Sequence, residues 1–390
     1  MENNGYKYNH FLQKGFAKNF AINGKIKYKK YLTPESGEFH ITKTSNANQP
    51  IVEEYFHTLE IEKGMNLLED RGLAVTRKIA QQVNFQEKIE LTREELVTLK
   101  LFSSLSGVRT RKLRNNIRDI NGDSLFNEMI KKDGRTPKEI QEEQISVILK
   151  YFEEFNTTGS MKRIQLDYFE NIGLNNQDNF KNLSRYEYEE YIKQNITFKS
   201  SMEMNVWEKM KSRLIIFKFD EPKLMLQESM NFNEFNTNGG NKYSFMPIAP
   251  NVGLMFYFDP IITRGVIPTE NSLFFENDIS KYRHKTIYKN MEIIKQKQME
   301  YVGKQNPKTF EEAQQHNQIF FSIEAGYYYD KKDTFIYDVL KEKTKIADIC
   351  NAMALVHNKD QILIFQKEQD IRDAEEQIIK KGIYRAEEFQ

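Results

Sequence analysis

A few residues have the types and spacing to do acid–base or metal chemistry. Glu53 and Glu60 stand seven apart. Seven residues is close to two helical turns, so on one helix both carboxylates would share a face. Asp220 follows the apolar run Arg213–Lys218 and precedes Pro222, which stiffens the turn. A carboxylate at a strand end is a common ligand position, and an aspartate that caps its own turn is the competing explanation. His10 adds an acid–base group that works near neutral pH. Carboxylates with one histidine suit Mg²⁺ or Mn²⁺ better than zinc. The expected centre therefore has His10, Glu60 and Asp220 as catalytic groups and Glu53, Glu60 and Asp220 as metal ligands.

Anion-binding groups lie nearby. Arg109 and Arg111 open a basic stretch in which Arg111, Arg114 and Arg118 share one helical face. Such a stripe can grip phosphates bidentately, or it can be a solvated face paired with neighbours such as Glu128 and Asp133. Arg109 is also the obvious partner for Glu60, as a buried ion pair that orders the fold. Asn290 falls inside a helical pattern, where asparagine is a poor former, so a side-chain hydrogen bond to a site or to the core is expected. Together Arg109, Arg111 and Asn290 form the expected substrate-binding set. Cys350 is the only cysteine, which excludes an intrachain disulfide and a thiolate metal cluster, and its apolar helical setting reads as a buried thiol.

The elements that must position these groups follow from pattern. Residues 10–45 alternate, with a hairpin at Asn23-Gly24. Pro50 opens an expected helix carrying Ile51, Tyr55, Leu59 and Leu67 on one face. Thr92 with Glu95 is a capping box that starts a helix to about Leu105, and Thr136-Pro137 caps another to about Phe155. Further helices are expected over 109–120, 184–194 and 200–211. The run Arg213–Lys218 reads as a buried strand, and Leu224–Leu226 as its continuation in the sheet. Residues 231–243 read as a polar loop. Ser244–Phe258 holds two apolar runs split by Pro250-Asn251. The runs Ile215–Phe217 and Val252–Phe258 are expected to be adjacent central strands. Residues 278–303 read as a helix that packs on that sheet through Ile287, Met291 and Ile294. One late strand is expected at Ile362–Phe365. The fold class is α+β: N-terminal hairpin strands, a central helical block, a mixed sheet after residue 212 covered by helices, and a mostly helical C-terminal third. A boundary is expected between 1–303 and 304–390.

Composition bounds the function. The 390 residues carry 57 Lys+Arg against 56 Asp+Glu, so no global field selects nucleic acid or a membrane surface. The aromatic share is 13%, enough to build a core despite an apolar share of 39%. No run of ~18 apolar residues and no leader-like start are present, which implies a cytoplasmic protein without a membrane span. Neither GxxxxGK[ST] nor GxGxxG occurs, which disfavours nucleotide folds built on those loops.

Several separated pieces resemble one family. His10-Phe11-Leu12-Gln13 with Phe16 and Phe20 is similar to an HYVPxxYLxxF pattern. Ile51-Val52-Glu53 with Leu59-Glu60 resembles its paired-glutamate helix, and Arg109-Thr110 its RTP segment. Trp207, Ile215-Ile216 and Asp220-Glu221-Pro222 resemble a W…SDNP stretch, followed by a PLSPN-like Pro247–Asn251 and by Asn290 ahead of Tyr301-Val302. This order resembles the bacterial domain-of-unknown-function family 4238 over about residues 8–303. Departures are Gln13, Arg111, Phe219 and Glu221, where the patterns have proline, proline, serine and asparagine. The resemblance implies no established reaction. Two functions are expected from the residues. One is a metal-dependent phosphodiesterase or nuclease-like hydrolase of bacterial phage defence or toxin-like biology, acting on nucleic acid or a phosphorylated small molecule. The other is a non-catalytic binding protein that pairs with itself or another protein through 305–390, where Phe320-Phe321 and Tyr327–Tyr329 lie.

Overall fold

A computed structural model describes residues 8–10, 14–30, 39–43, 52–54, 57–110, 133–159, 167, 197–230, 232–235, 241–257, 286–288, 331, 334–342, 344–356 and 362–381. The chain begins with β1 (Tyr8–His10), α1 (Lys14–Ala17) and a 3₁₀ turn at Lys18–Phe20. Strands β2 (Lys25–Lys30), β3 (Phe39–Lys43) and β4 (Val52–Glu54) follow. Next come α2 (Leu59–Gln82), β5 (Lys88–Thr92), α3 (Arg93–Val108), α4 (Pro137–Thr158) and α5 (Phe198–Lys211). Strands β6 (Arg213–Phe219), β7 (Leu226–Gln227), β8 (Phe232–Phe235), β9 (Asn241–Ala249), β10 (Val252–Tyr257), β11 (Thr286–Tyr288) and β12 (Thr334–Glu342) lead to α6 (Thr344–Val356), β13 (Ile362–Phe365) and α7 (Glu368–Lys381).

The helices start where their caps dictate. Thr92 accepts from the backbone N–H of Glu95 and the Glu95 carboxylate accepts from Thr92, and Thr136 with Glu139 repeats the arrangement ahead of Pro137. Gly159 ends α4 at φ 70°, the left-handed geometry that favours glycine. Thr197 caps α5 through Ser200.

Seven strands form one sheet, in the order β11-β12-β6-β10-β9-β8, with β5 also paired to β12. Strand β6 runs antiparallel to β10, with Ile216 opposite Leu254, and parallel to β12, with Ile216 opposite Val339. The sheet is therefore mixed, and the two apolar runs are adjacent as expected. Alternation sorts their side chains between two cores. Leu214, Ile216, Leu254 and Phe256 face a core shared with α2, α3, α4 and α5. Ile215, Phe217, Phe219 and Met255 face a second core shared with α6, α7 and β13. Gly253 has no side chain because the ring of Phe245 lies where its Cβ would be. A second sheet has the order β3-β2-β13-β7, and β1 pairs with β4 in a separate ladder. Among the described residues no helix is long and apolar enough to cross a membrane.

Several elements differ from expectation. The segment after Pro50 is not the start of a helix: Val52–Glu54 pairs with β1, and the helix begins at Leu59. That shift rotates the helical face, and Leu67 is exposed. Residues 231–243 are not simply a loop, since β8 and the start of β9 fall there and pair with each other. The expected 278–303 helix is interrupted by β11, so Ile287 lies in a strand opposite Ile336; Asn290, Met291 and Ile294 lie outside the described residues. Leu226 joins the second sheet through Ile364, not the first. Strand β5 interrupts the expected central helical block, and β12 is a second strand in the C-terminal third, where one strand was expected among helices; each is held by pairing with distant residues. The 303/304 boundary, the 184–194 helix and most of the 109–120 helix lie outside the described residues. Beyond that boundary, β12 and β13 hydrogen-bond into the two large sheets.

Because Ile216 is 0% exposed in the strand with neighbours on both sides, Ile216→Asp should lower unfolding free energy by roughly 4 kcal/mol, the cost of burying an unpaired charge. Urea denaturation checks this; an unchanged midpoint would refute the placement of β6.

Candidate functional site

Among the described residues, one group of buried ionisable side chains sits where α2, α3 and α4 meet. Helix α2 begins after Thr58, and from that start Glu62, Met65, Glu69, Leu73 and Thr76 share the buried face. Two carboxylates thus enter an apolar interface two turns apart. Such groups need a partner, and Arg109 supplies it from the residue that follows α3. Its backbone N–H bonds Leu105 O, ending the helix. Gln141 of α4 then holds the outgoing chain by donating to Val108 O at 2.7 Å and Thr110 O at 2.9 Å. The Arg109 guanidinium pairs directly with the Glu69 carboxylate.

Burial sets the electrostatics. Arg109 is 2% exposed, and desolvation draws its pKa down to about 10, against support from the Glu62 charge. It stays protonated at neutral pH. Burial also raises the Glu62 pKa, with Arg109 acting the other way. Among the described residues, Glu62 Oε1, Gln144 Oε1 and Arg109 Nε make no hydrogen bond. His57 is buried at the same junction, its Nδ1 4.0 Å from Glu142, which also accepts from Thr58 N–H at 2.8 Å.

Two further groups are buried. Lys100 of α3 donates to Met210 O at 2.8 Å and Ser212 O at 2.5 Å, satisfying carbonyls at the end of α5. Nearby Lys209 lies over the Phe256 ring at 4.8 Å; burial, then the Lys100 charge, draws its pKa to about 7. A lysine so tuned is a nucleophile only where substrate reaches it, and this one is 7% exposed. On the other side of the sheet, Lys223 bridges Asp348 at 2.7 Å and Asp373 at 2.5 Å. Burial opposes its charge, but the two carboxylates prevail and raise its pKa. Asn351 clamps the same turn, accepting from Met225 N–H and donating to Lys223 O, each at 2.8 Å. Cys350 is buried as expected, and desolvation pushes its thiol well above the usual range.

The residues singled out from sequence fall in different places. His10 and Glu53 lie in one ladder, with His10 opposite Val52 and Glu53 opposite Asn9. Glu53 is therefore not in the first turn of a helix and shares no helical face with Glu60. Glu60 is exposed in the first turn of α2. Asp220 is exposed just beyond β6, where its N–H bonds Glu342 O at 3.2 Å. It belongs to the seven-stranded sheet, and His10 and Glu53 to the two-stranded one. Arg109 is buried against Glu69, not Glu60. Arg111 and Asn290 lie outside the described residues. Among the described residues no three His, Cys, Asp or Glu side chains gather to hold a metal ion. Glu62 and Glu69 do not fit a divalent cation, because Arg109 already neutralises one and supports the other. Sequence reasoning missed both. The seven-residue spacing that drew attention to Glu53 and Glu60 recurs in Glu62 and Glu69, and a helix start at Thr58 would have found them.

No family model matches the chain, and neither a curated protein nor a solved structure does.

Breaking a buried pair strands a charge, so Glu69→Leu should cost about 3–5 kcal/mol, with most of it recovered in the Arg109→Met/Glu69→Leu double variant. Thermal denaturation of the three proteins checks this; a double variant as unstable as the two single costs added would refute it. Glu62 gives a pH signature. Its raised folded pKa means the folded state holds a proton that the unfolded chain releases first. Its contribution to stability is therefore present at low pH and lost as pH rises through the folded pKa. Glu62→Gln should accordingly gain stability relative to the parent from pH 4 to pH 8, and a constant difference would refute the assignment.

Proposed function

We propose that the protein acts by binding rather than by turnover, as a non-catalytic interaction protein. One observation supports this reading: among the described residues, three buried cations are each held by a carboxylate or by backbone carbonyls. Arg109 engages Glu69, Lys100 engages the carbonyls of α5, and Lys223 engages Asp348 and Asp373. These contacts tie ends of elements together. General acid–base chemistry needs a group within hydrogen-bond reach of a substrate, and buried, mutually neutralised pairs do not offer one. An oligomer or a protein partner through residues 305–390 is one form of the same proposal.

A second reading keeps the hydrolase. Asp220 is exposed at the end of a sheet strand, the position where a ligating carboxylate would be reached by substrate. A phosphodiesterase of this kind would take Mg²⁺ or Mn²⁺ and act on nucleic acid or a phosphorylated small molecule.

One assay separates the two. Purified protein is incubated with single- and double-stranded DNA, RNA and a chromogenic phosphodiester, with and without Mg²⁺ or Mn²⁺. Binding without turnover gives no product in any lane. Metal-dependent cleavage that disappears in Asp220→Ala would overturn the first reading and establish the second.

A further inference from the structure

We infer that Asn23-Gly24 is a site of spontaneous covalent modification, where the asparagine amide cyclises onto the glycine nitrogen and the ring then opens to an aspartyl or isoaspartyl residue. The inference stands whether the protein binds or hydrolyses. It starts from the reversal into β2. Ile22 and Lys25 exchange backbone hydrogen bonds at 2.8 and 2.9 Å, and Asn23 and Gly24 form the two-residue loop between them, at φ values of 50° and 70°. All four residues are exposed, so water and hydroxide reach the loop. Neither the Gly24 N–H nor the Asn23 side-chain amide makes a hydrogen bond among the described residues. Gly24 has no Cβ to hinder the approach of its nitrogen to the Asn23 Cγ. Three other asparagines show the contrast. Asn19 donates to Ile248 O at 3.1 Å and precedes Phe20. Asn84 donates to Ala80 O at 3.2 Å and precedes Phe85. Asn351 is buried and held at both ends of its amide. Among the described residues only Asn23 is followed by glycine; Asn4-Gly5, Asn121-Gly122 and Asn238-Gly239 lie outside them.

The chemistry needs only water and hydroxide. Hydroxide takes the Gly24 N–H proton as the nitrogen attacks the Asn23 Cγ. The bond from Cγ to Nδ2 breaks, and the departing nitrogen takes a proton from water and leaves as ammonia. A five-membered imide remains. Water adds to either ring carbonyl. One opening restores the original main chain with an aspartyl side chain, and the other routes the main chain through Cγ as an isoaspartyl residue. Local charge favours the anionic steps. From Asn3 to Pro34 the chain has seven lysines and no acidic residue, and Lys25 adjoins the loop. Nearby cations stabilise the deprotonated nitrogen, the tetrahedral oxyanion and the product carboxylate. The isoaspartyl product adds one methylene to the main chain of a two-residue loop, which the paired hydrogen bonds of Ile22 and Lys25 cannot span unchanged. Ile26 is the next residue and is fully buried, so the change reaches the edge of the first core.

The test is peptide mapping by mass spectrometry of the full chain after days to weeks in mildly alkaline buffer at physiological temperature. Trypsin cuts after Lys18 and Lys25, so Asn19 and Asn23 fall in one peptide and Asn19 serves as the internal control. Asn23 should lose its amide, with the isoaspartyl form the larger share, while Asn19 keeps its own. Protein held in mildly acidic buffer should convert more slowly, because hydroxide drives the first step. Asn23→Gln keeps an amide but would need a six-membered ring, so its loss of ammonia should be at least ~tenfold slower. Gly24→Ala places a methyl beside the attacking nitrogen and should also slow the reaction at Asn23. The converted protein, one positive charge poorer, should elute early from a cation exchanger and melt below the parent. The inference is overturned if Asn23 keeps its amide, if Asn19 loses its amide as fast, or if Asn23→Gln converts at the parent rate. An unchanged melting temperature in the isoaspartyl fraction would overturn the loss of the Ile22–Lys25 pairing.

Discussion

Strand β6 has no face turned to solvent, and that constraint organises the molecule. Each successive side chain from Leu214 to Phe217 must enter one of two cores, so the strand reads as a continuous apolar run. One core needs helices from the first half of the chain. The other needs α6, α7 and β13 from its end. The parallel partner of Ile216 is Val339, 123 residues later. The central sheet therefore closes only when distant parts of the chain meet, and this long-range pairing makes the topology slow to assemble.

Charged residues inside such a layered fold must be matched, and the matches fall at element ends. Arg109 ends α3 and ties it to α2 through Glu69. Lys100 reaches from α3 to the last carbonyls of α5, where the helix dipole favours a cation. Lys223 follows β6 and ties it to α6 and α7 through Asp348 and Asp373. A buried pair of this kind contributes little net stability over an apolar packing, but removing one partner is costly. Their effect is to fix which helix end meets which.

The legible parts of the sequence were those with local causes. Thr92 with Glu95, and Thr136 with Pro137, set helix starts through local contacts, and these were readable; the structure adds Glu139 as the partner of Thr136. The adjacency of β6 and β10 was readable too, because both are short apolar runs bounded by turn-formers. What was not legible depended on distant partners. Val52–Glu54 follows a proline that also suits a helix start, and only pairing with Tyr8–His10 makes it a strand. Strand β11 sits in a stretch with helical spacing and is held by β12. The error at Pro50 propagated to the site. It set the phase of α2 wrongly and drew attention to Glu60, which is exposed, in place of Glu62 and Glu69, which are buried.

The same layering fixes the second sheet against the first. Strand β13 alternates between the two cores, with Ile362 and Ile364 in one and Leu363 and Phe365 in the other. It pairs with β2 along its whole length, so β2 inherits a fixed position from a strand anchored on both faces. Phe365, buried in the second core, lies opposite Lys27. The two large sheets are therefore joined through one strand, and a change that loosens β13 should disturb both cores together.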